Sequence, residues 1–123
     1  MTTQSATSIA FAIPVLPGQT DLDRRTMHSC WHGERSGQHA ASRRRHGITR
    51  ESVWIQATPD GDVVVVVIEA HDIAAALAGL ADSDSEFDSW FREHIRIVHG
   101  IDLQAGLAPT EQVLDYRAAQ SAG

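Results

Sequence analysis

His28, His32, His39 and His46 follow one another at intervals of four, seven and seven residues. On an uninterrupted α-helix these intervals bring all four side chains within about 40° of one another, in one imidazole stripe. Imidazole titrates near neutrality, so such a group can take up a proton and return it without a cofactor. A pair at i and i+4 can also reach a common point from one helix face and chelate a divalent metal, and His28 and His32 form such a pair. The residues between them, Ser29-Cys30-Trp31, include no glutamate. A third metal ligand would therefore come from His39, from a carboxylate elsewhere or from a partner chain. The competing reading is a solvated polar face, because Leu22, Met27, Cys30, Trp31, Ala40 and Ala41 occupy a different arc and Gly33 and Gly37 interrupt the register.

Two further histidines lie in "WFREHIRIVHG". His94 follows Phe87 by seven and Trp90 by four, on the inward stripe of an amphipathic helix. His99 falls in the last turn, where an imidazolium interacts favourably with the helix dipole. Trp31, Trp54, Trp90, Phe11 and Tyr116 either line an aromatic cavity or belong to the core. Arg43, Arg44 and Arg45, with Arg50 nearby, suit an anion or a solvated helix end. There is no glycine-rich phosphate loop, serine nucleophile elbow or CxxC, so nucleotide hydrolysis, serine hydrolase chemistry and thiol redox work have no support.

These residues need elements to position them. Ser8 to Val15 reads as a strand, followed by the turn "PGQTD" with Thr20 as helix N-cap. A helical region over 21–45 is expected to break near Gly33 and Gly37 and to end at Gly47 as the C′ residue. Val53, Ile55 and Ala57 alternate with Trp54, Gln56 and Thr58 before the turn Thr58-Pro59-Asp60-Gly61 and the run "DVVVVVIEA", which together make a β-hairpin. His71 and Asp72 open another helix, "DSDSE" interrupts it, and Phe87 to Val98 repeats at helical spacing before Gly100. A last short strand is expected around Gln112 to Tyr116. The order β, α, β, β, α in two pieces, β predicts an α+β, ferredoxin-like βαββαβ fold: a four-stranded antiparallel sheet with helices on one face. The valine run demands cover on both faces of that sheet, and the helices cover one. A second copy packed sheet to sheet supplies the rest, which predicts a homodimer through the sheet face.

The 123 residues suit one domain over 8–118, with short tails at 1–7 and 119–123. Ten basic against sixteen acidic residues give a net charge of −6, which opposes nonspecific nucleic-acid binding. The single cysteine, Cys30, excludes an intramolecular disulfide and suits a reducing compartment. The apolar stretch from Ile9 to Leu16 lacks a basic flank and contains Pro14, so it reads as a strand and not a signal peptide. No segment approaches the roughly 20 apolar residues of a bilayer span. A soluble, cytoplasmic protein with no membrane or nucleic-acid partner is expected.

The order of elements, the hairpin "GITRESVWIQATPDGDVVVVVIEA", the helix "FDSWFREHIRIVHGIDL" and the helix end "SRRRHGIT" resemble those of a family of small actinobacterial proteins in the dimeric α+β barrel superfamily, over roughly residues 9–116. That superfamily also holds antibiotic-biosynthesis monooxygenases, polyketide cyclases, haem-degrading enzymes and stress-responsive proteins, one fold with many chemistries. The resemblance implies an enzyme of specialised metabolism that holds an apolar small molecule between sheet and helices. It further implies cyclisation, isomerisation or oxygenation without a cofactor. It implies that His39 and His46 replace larger apolar residues and line this cavity. His28, His32 and His39 are the expected proton-transfer residues, and His46, Trp54, Trp90 and His94 the expected substrate-binding residues. Two alternatives remain open. One is a noncatalytic dimeric ligand-binding or interaction module; the other is a histidine-ligated metal or haem protein, with His28, His32 and His39 as metal ligands or His94 as axial iron ligand.

Overall fold

A computed structural model of the chain describes residues 6–119. Its elements are β1 (Ser8–Pro14), α1 (Thr20–Trp31), α2 (Ser36–Arg45), β2 (Ile48–Thr58), β3 (Gly61–Ala70), α3 (Ile73–Asp82), α4 (Glu86–His99) and a 3-10 turn at Leu103–Ala105. The sheet is antiparallel in the order β1-β3-β2, so the valine strand is central and β1 and β2 flank it. The protein is therefore α+β, with four α-helices and a three-stranded sheet among the described residues.

The valine run divides as its parity requires. Val64, Val66, Ile68 and Ala70 are buried on the inner face, with Ile48, Ile73 and Ala76, and Ile9, Phe11, Val53 and Ile55 pack beside them. Each such side chain taken fully out of water contributes about 1.5–3 kcal/mol. Val63, Val65 and Val67 point the other way. Their cross-strand neighbours are Pro14, Ala12 and Ala10 on β1 and Gln56, Trp54 and Ser52 on β2. These three valines are only half-buried, and among the described residues no helix is seen to pack on them.

Local chemistry explains the boundaries. The Asp72 carboxylate accepts from Ala75 N at 3.1 Å and caps α3, and the Ser85 hydroxyl accepts from Asp88 N at 3.1 Å and caps α4. Gly47 (φ +72°) and Gly100 (φ +71°) adopt the left-handed conformation that ends α2 and α4. The break expected at Gly33 and Gly37 falls between α1 and α2, where the chain turns through Gly33 with Arg35 N bonded to Ser29 O at 3.0 Å. Thr20 is not the N-cap expected of it. It is the first residue of α1, and its hydroxyl donates to Asp62 Oδ2 at 2.6 Å, fastening the helix to the start of β3.

The expected fourth strand around Gln112–Tyr116 is not formed. Residues 106–119 have no regular structure, and Val113, Leu114 and Tyr116 are more than three-quarters exposed. Within one chain these apolar side chains find nothing to pack on, and an added strand without packing gains too little to offset its ordering entropy. The outer edge of β1, where such a strand would add, is unpaired among the described residues.

A glycine shows how tightly the helix layer is joined. Gly79 lies inside α3, where alanine ordinarily stabilises by about 1 kcal/mol. A Cβ there would stand 2.5 Å from Nδ1 of His46, whose other nitrogen is fixed to Asp88 at 2.8 Å. Gly79→Ala should therefore lower stability by about 1–3 kcal/mol in urea unfolding. In a His46→Ala background the same change should be stabilising; stabilisation in the unmodified protein would contradict this packing.

Candidate functional site

The helix layer does not close onto the inner sheet face. One cavity of about 630 Å³ lies between the sheet, α1, α3, α4 and the segment 103–110, walled chiefly by apolar side chains such as Phe11, Val66, Leu77 and Ile95. A second, of about 810 Å³, lies between α1, α2 and β2 and is edged by His28, Cys30, Trp31, His39 and Trp54. Met27, Glu51, Val53 and Phe91 line both, so the two spaces adjoin.

Glu51 is the hinge between them, facing inward in step with Val53 and Ile55. The register of β2 against β3 shifts between Ile48 and Arg50. The extra residue lets both Ile48 and Glu51 face inward despite their odd separation, as a β-bulge does. Glu51 Oε1 accepts from His39 Nε2 at 2.7 Å and from Arg43 Nε at 2.9 Å, and Oε2 accepts from Arg43 Nη2 at 3.2 Å. Burial alone would raise the Glu51 carboxyl, but the hydrogen bond from His39 and the charge and hydrogen bonds of Arg43 outweigh it and bring it down to about 2. Arg43 is itself buried, with its guanidinium 4.5 Å from the centre of the Phe91 ring. Its Nη1 donates to Ser42 Oγ at 3.0 Å, Ser42 donates to Asp88 Oδ1, and Asp88 Oδ2 accepts from His46 Nε2 at 2.8 Å. Burial would also raise Asp88, but the bonds from His46, Ser42, Ser83 and Ser85 hold its carboxyl well below the usual range. One hydrogen-bonded chain thus runs from β2 through α2 to α4.

A second buried pair joins α1 to α4. His94 Nε2 donates to Asp23 Oδ1 at 2.8 Å, and both side chains are almost wholly buried. Asp23 also lines the first cavity, and its Oδ2 has no hydrogen-bond partner among the described residues. A buried acceptor left so costs about 1–3 kcal/mol, more when charged. His99, on the wall of the same cavity, donates from Nδ1 to the Pro14 carbonyl at 2.9 Å. This bond fixes the ring and leaves Nε2 as its remaining nitrogen.

The histidines expected to form one stripe are separated by the break between α1 and α2. His28 is exposed at the edge of the second cavity. His32 is exposed and stacks on Trp31, their ring centres 4.3 Å apart, and it lines neither cavity. His39 turns toward the sheet and Glu51, whereas His46 is spent on Asp88 beside Gly79 and lines neither cavity. The single stripe is thus corrected: the register is lost across the four residues that carry no helix. Among the described residues no group of three or more His, Cys, Asp or Glu is placed to hold a metal ion. Trp54 sits half-exposed at the edge of the second cavity; Trp90 packs on Phe87, Phe91 and His94, under the Arg35 guanidinium. Cys30 also borders that cavity, and burial pushes its thiol up, away from the reactive thiolate.

Sequence reading missed Glu51, Ser42, Asp88 and Asp23 and the cavity position of His99, and it left Arg43 between an anion contact and a solvated helix end. One signal was present: Glu51 shares the odd positions of Val53 and Ile55, the inward residues of β2. The depressed Glu51 carboxyl gives a signed pH dependence. Its bonds stabilise the fold fully above the ordinary value of 4.5 and are lost as pH falls through about 2. The stability advantage of the native protein over Glu51→Gln should therefore be largest near neutrality and shrink between pH 5 and pH 2 in urea unfolding. An advantage independent of pH would show that the carboxylate is not held by His39 and Arg43.

No protein-family model, no curated protein and no solved structure matches the chain.

Proposed function

We propose that this protein binds an apolar small molecule between sheet and helices and acts on it by histidine acid–base chemistry without a cofactor, in the cyclisation, isomerisation or oxygenation class of specialised metabolism. The observation that carries the binding part is the 630 Å³ apolar cavity with few polar groups on its wall, the usual form of a small-molecule site. His39 is the favoured proton-transfer residue, since Glu51 orients its ring at the edge of the adjoining space. His28 stands at the same edge and is the second candidate. His32 joins them only if the loop between α1 and α2 folds inward. A noncatalytic binding module is the alternative favoured by the saturation of Glu51, Arg43 and His46, which leaves few groups free to react.

The same reading includes a ferredoxin-like fold in a homodimer of the α+β barrel kind. Its support is the outer sheet face, where half-buried Val63, Val65 and Val67 lie beside Ala10, Ala12, Pro14 and Trp54 with no helix over them among the described residues. The unpaired edge of β1 and the exposed Val113, Leu114 and Tyr116 suit the addition of a fourth strand on assembly.

Three measurements test this. The apolar fluorophore N-phenyl-1-naphthylamine should bind saturably, one per chain, and Val53→Trp, which fills the wall common to both cavities, should weaken it about tenfold or more while circular dichroism stays native. Equal binding by the variant would place the probe elsewhere. In sedimentation velocity the protein should run at twice the chain mass and Val65→Lys at the chain mass; a monomeric native protein would remove the dimer. Incubation with cell metabolite extracts, followed by mass spectrometry, separates the two functional readings: a converted compound supports the enzyme, and retention without conversion supports the binding module.

A further inference from the structure

The walls of the apolar cavity differ in how they are fastened. Strand β1 is paired with β3 from Ser8 to Pro14, α1 is tied to α4 by Asp23 and His94, and α3 starts with Ile73 N bonded to the Ala6 carbonyl at 2.9 Å. On the side of the second cavity stand Glu51 and Arg43, joined as a buried ion pair. The remaining wall is Leu103, Gln104 and every residue from Gly106 to Thr110. Among the described residues its hydrogen bonds are those of its own turn alone: Gln104 N to Asp102 Oδ1 at 2.9 Å, Ala105 N to Asp102 O at 3.0 Å and Gly106 N to Leu103 O at 3.1 Å. Leu103 and Leu107 are half-buried there, and every other residue from Gln104 to Thr110 is exposed.

We propose that residues 103–110 are the lid of this cavity: they lift to admit the apolar ligand and close on it through Leu103 and Leu107. This rests on the cavity being a ligand site and adds its entrance and two of its contact residues. A segment opens locally at a free energy set by the contacts it gives up, and this one gives up two half-buried leucines and no hydrogen bond to the rest of the fold. Opening at the other walls breaks strand pairing or a buried polar pair. Gly106 (φ +89°) is the joint: a Cβ there would meet nothing within 4 Å, so what calls for glycine is the backbone conformation and not a lack of space. A bound apolar molecule gives Leu103 and Leu107 further atoms to pack on, so occupancy favours the closed lid.

The test is hydrogen exchange read by mass spectrometry on the full chain, with and without saturating N-phenyl-1-naphthylamine. Amides of residues 103–110 should exchange near the unfolded rate in the free protein and about tenfold or more slowly in the complex. In stopped-flow fluorescence Leu107→Ser should release the probe about tenfold faster than the native protein. Ala105→Ser, an exposed change in the same segment at a residue that does not line the cavity, should release it within about twofold of the native rate. A fixed wall exchanges alike in the free and bound protein, so probe that binds without slowing these amides would overturn the lid and leave the cavity as a ligand site. Release from Leu107→Ser at the native rate would do the same. Absence of saturable binding would remove the cavity reading and the lid with it. The exchange measurement uses the native chain, so it decides by itself should Leu107→Ser fail to fold.

Discussion

A buried guanidinium must be paired, and the architecture of the helix layer follows from where Arg43 finds its partner. Arg43 is 5% exposed, on a helix that carries almost no apolar residue to anchor it. Desolvating an isolated charge costs several kcal/mol, and breaking a buried pair typically costs about 3–5 kcal/mol. Only the bidentate contact with Glu51, the bond to Ser42 and the face of Phe91 make the position tolerable. Strand alternation with Val53 and Ile55 turns Glu51 inward, Ser42 hands the network to Asp88, and Asp88 ties in His46 and α4. Helix α2 is thus held to the sheet by geometry-specific polar bonds and not by an apolar stripe.

That mode of attachment accounts for the cavities. Apolar faces drive elements together until the space between them is filled. Ion pairs instead fix a separation set by side-chain length, and the Arg43 and Glu51 side chains meet end to end across the layer. Around this post the inner face of the sheet is left partly open, with Val53, Phe91 and Met27 on its rim. The aliphatic cluster of Val64, Val66, Ile68, Ile73 and Ala76 closes the layer beneath α3, so open space and dense core lie side by side.

The sequence was legible where local rules and tertiary demands agree. The hairpin, the helix start at Asp72, the interruption at "DSDSE", the stops at Gly47 and Gly100 and the break before Ser36 all follow from turn chemistry and hydrophobic period. The candidate site was much less legible. "SGQHAASRRR" is polar on all sides, so periodicity cannot reveal that Ser42 and Arg43 face inward. Glu51 shares the inward parity of Val53 in "GITRESVW", but parity alone does not name the buried cation that it meets. Four histidines at near-helical spacing imply a stripe only while the helix is continuous, and the turn at Gly33 scatters them among solvent, sheet and Asp88. "EQVLDY" has strand character, but strand character alone does not supply a surface to pair with.

The five-valine strand connects these observations. Its even positions are consumed by the core and the apolar cavity, and its odd positions by a face that the chain leaves uncovered. The inner face is shared between α3 and the cavity, and among the described residues no helix is seen to pack on the outer one. A strand that is β-branched throughout is stiff and resists twisting side chains out of register. The cavity wall and the outer face are then two sides of one rigid layer. Polar selectivity cannot come from such a wall, since valine and isoleucine offer no hydrogen bonds. The polar groups that border this space from α1 and α4 are held elsewhere, Asp23 by His94 and His99 by the Pro14 carbonyl.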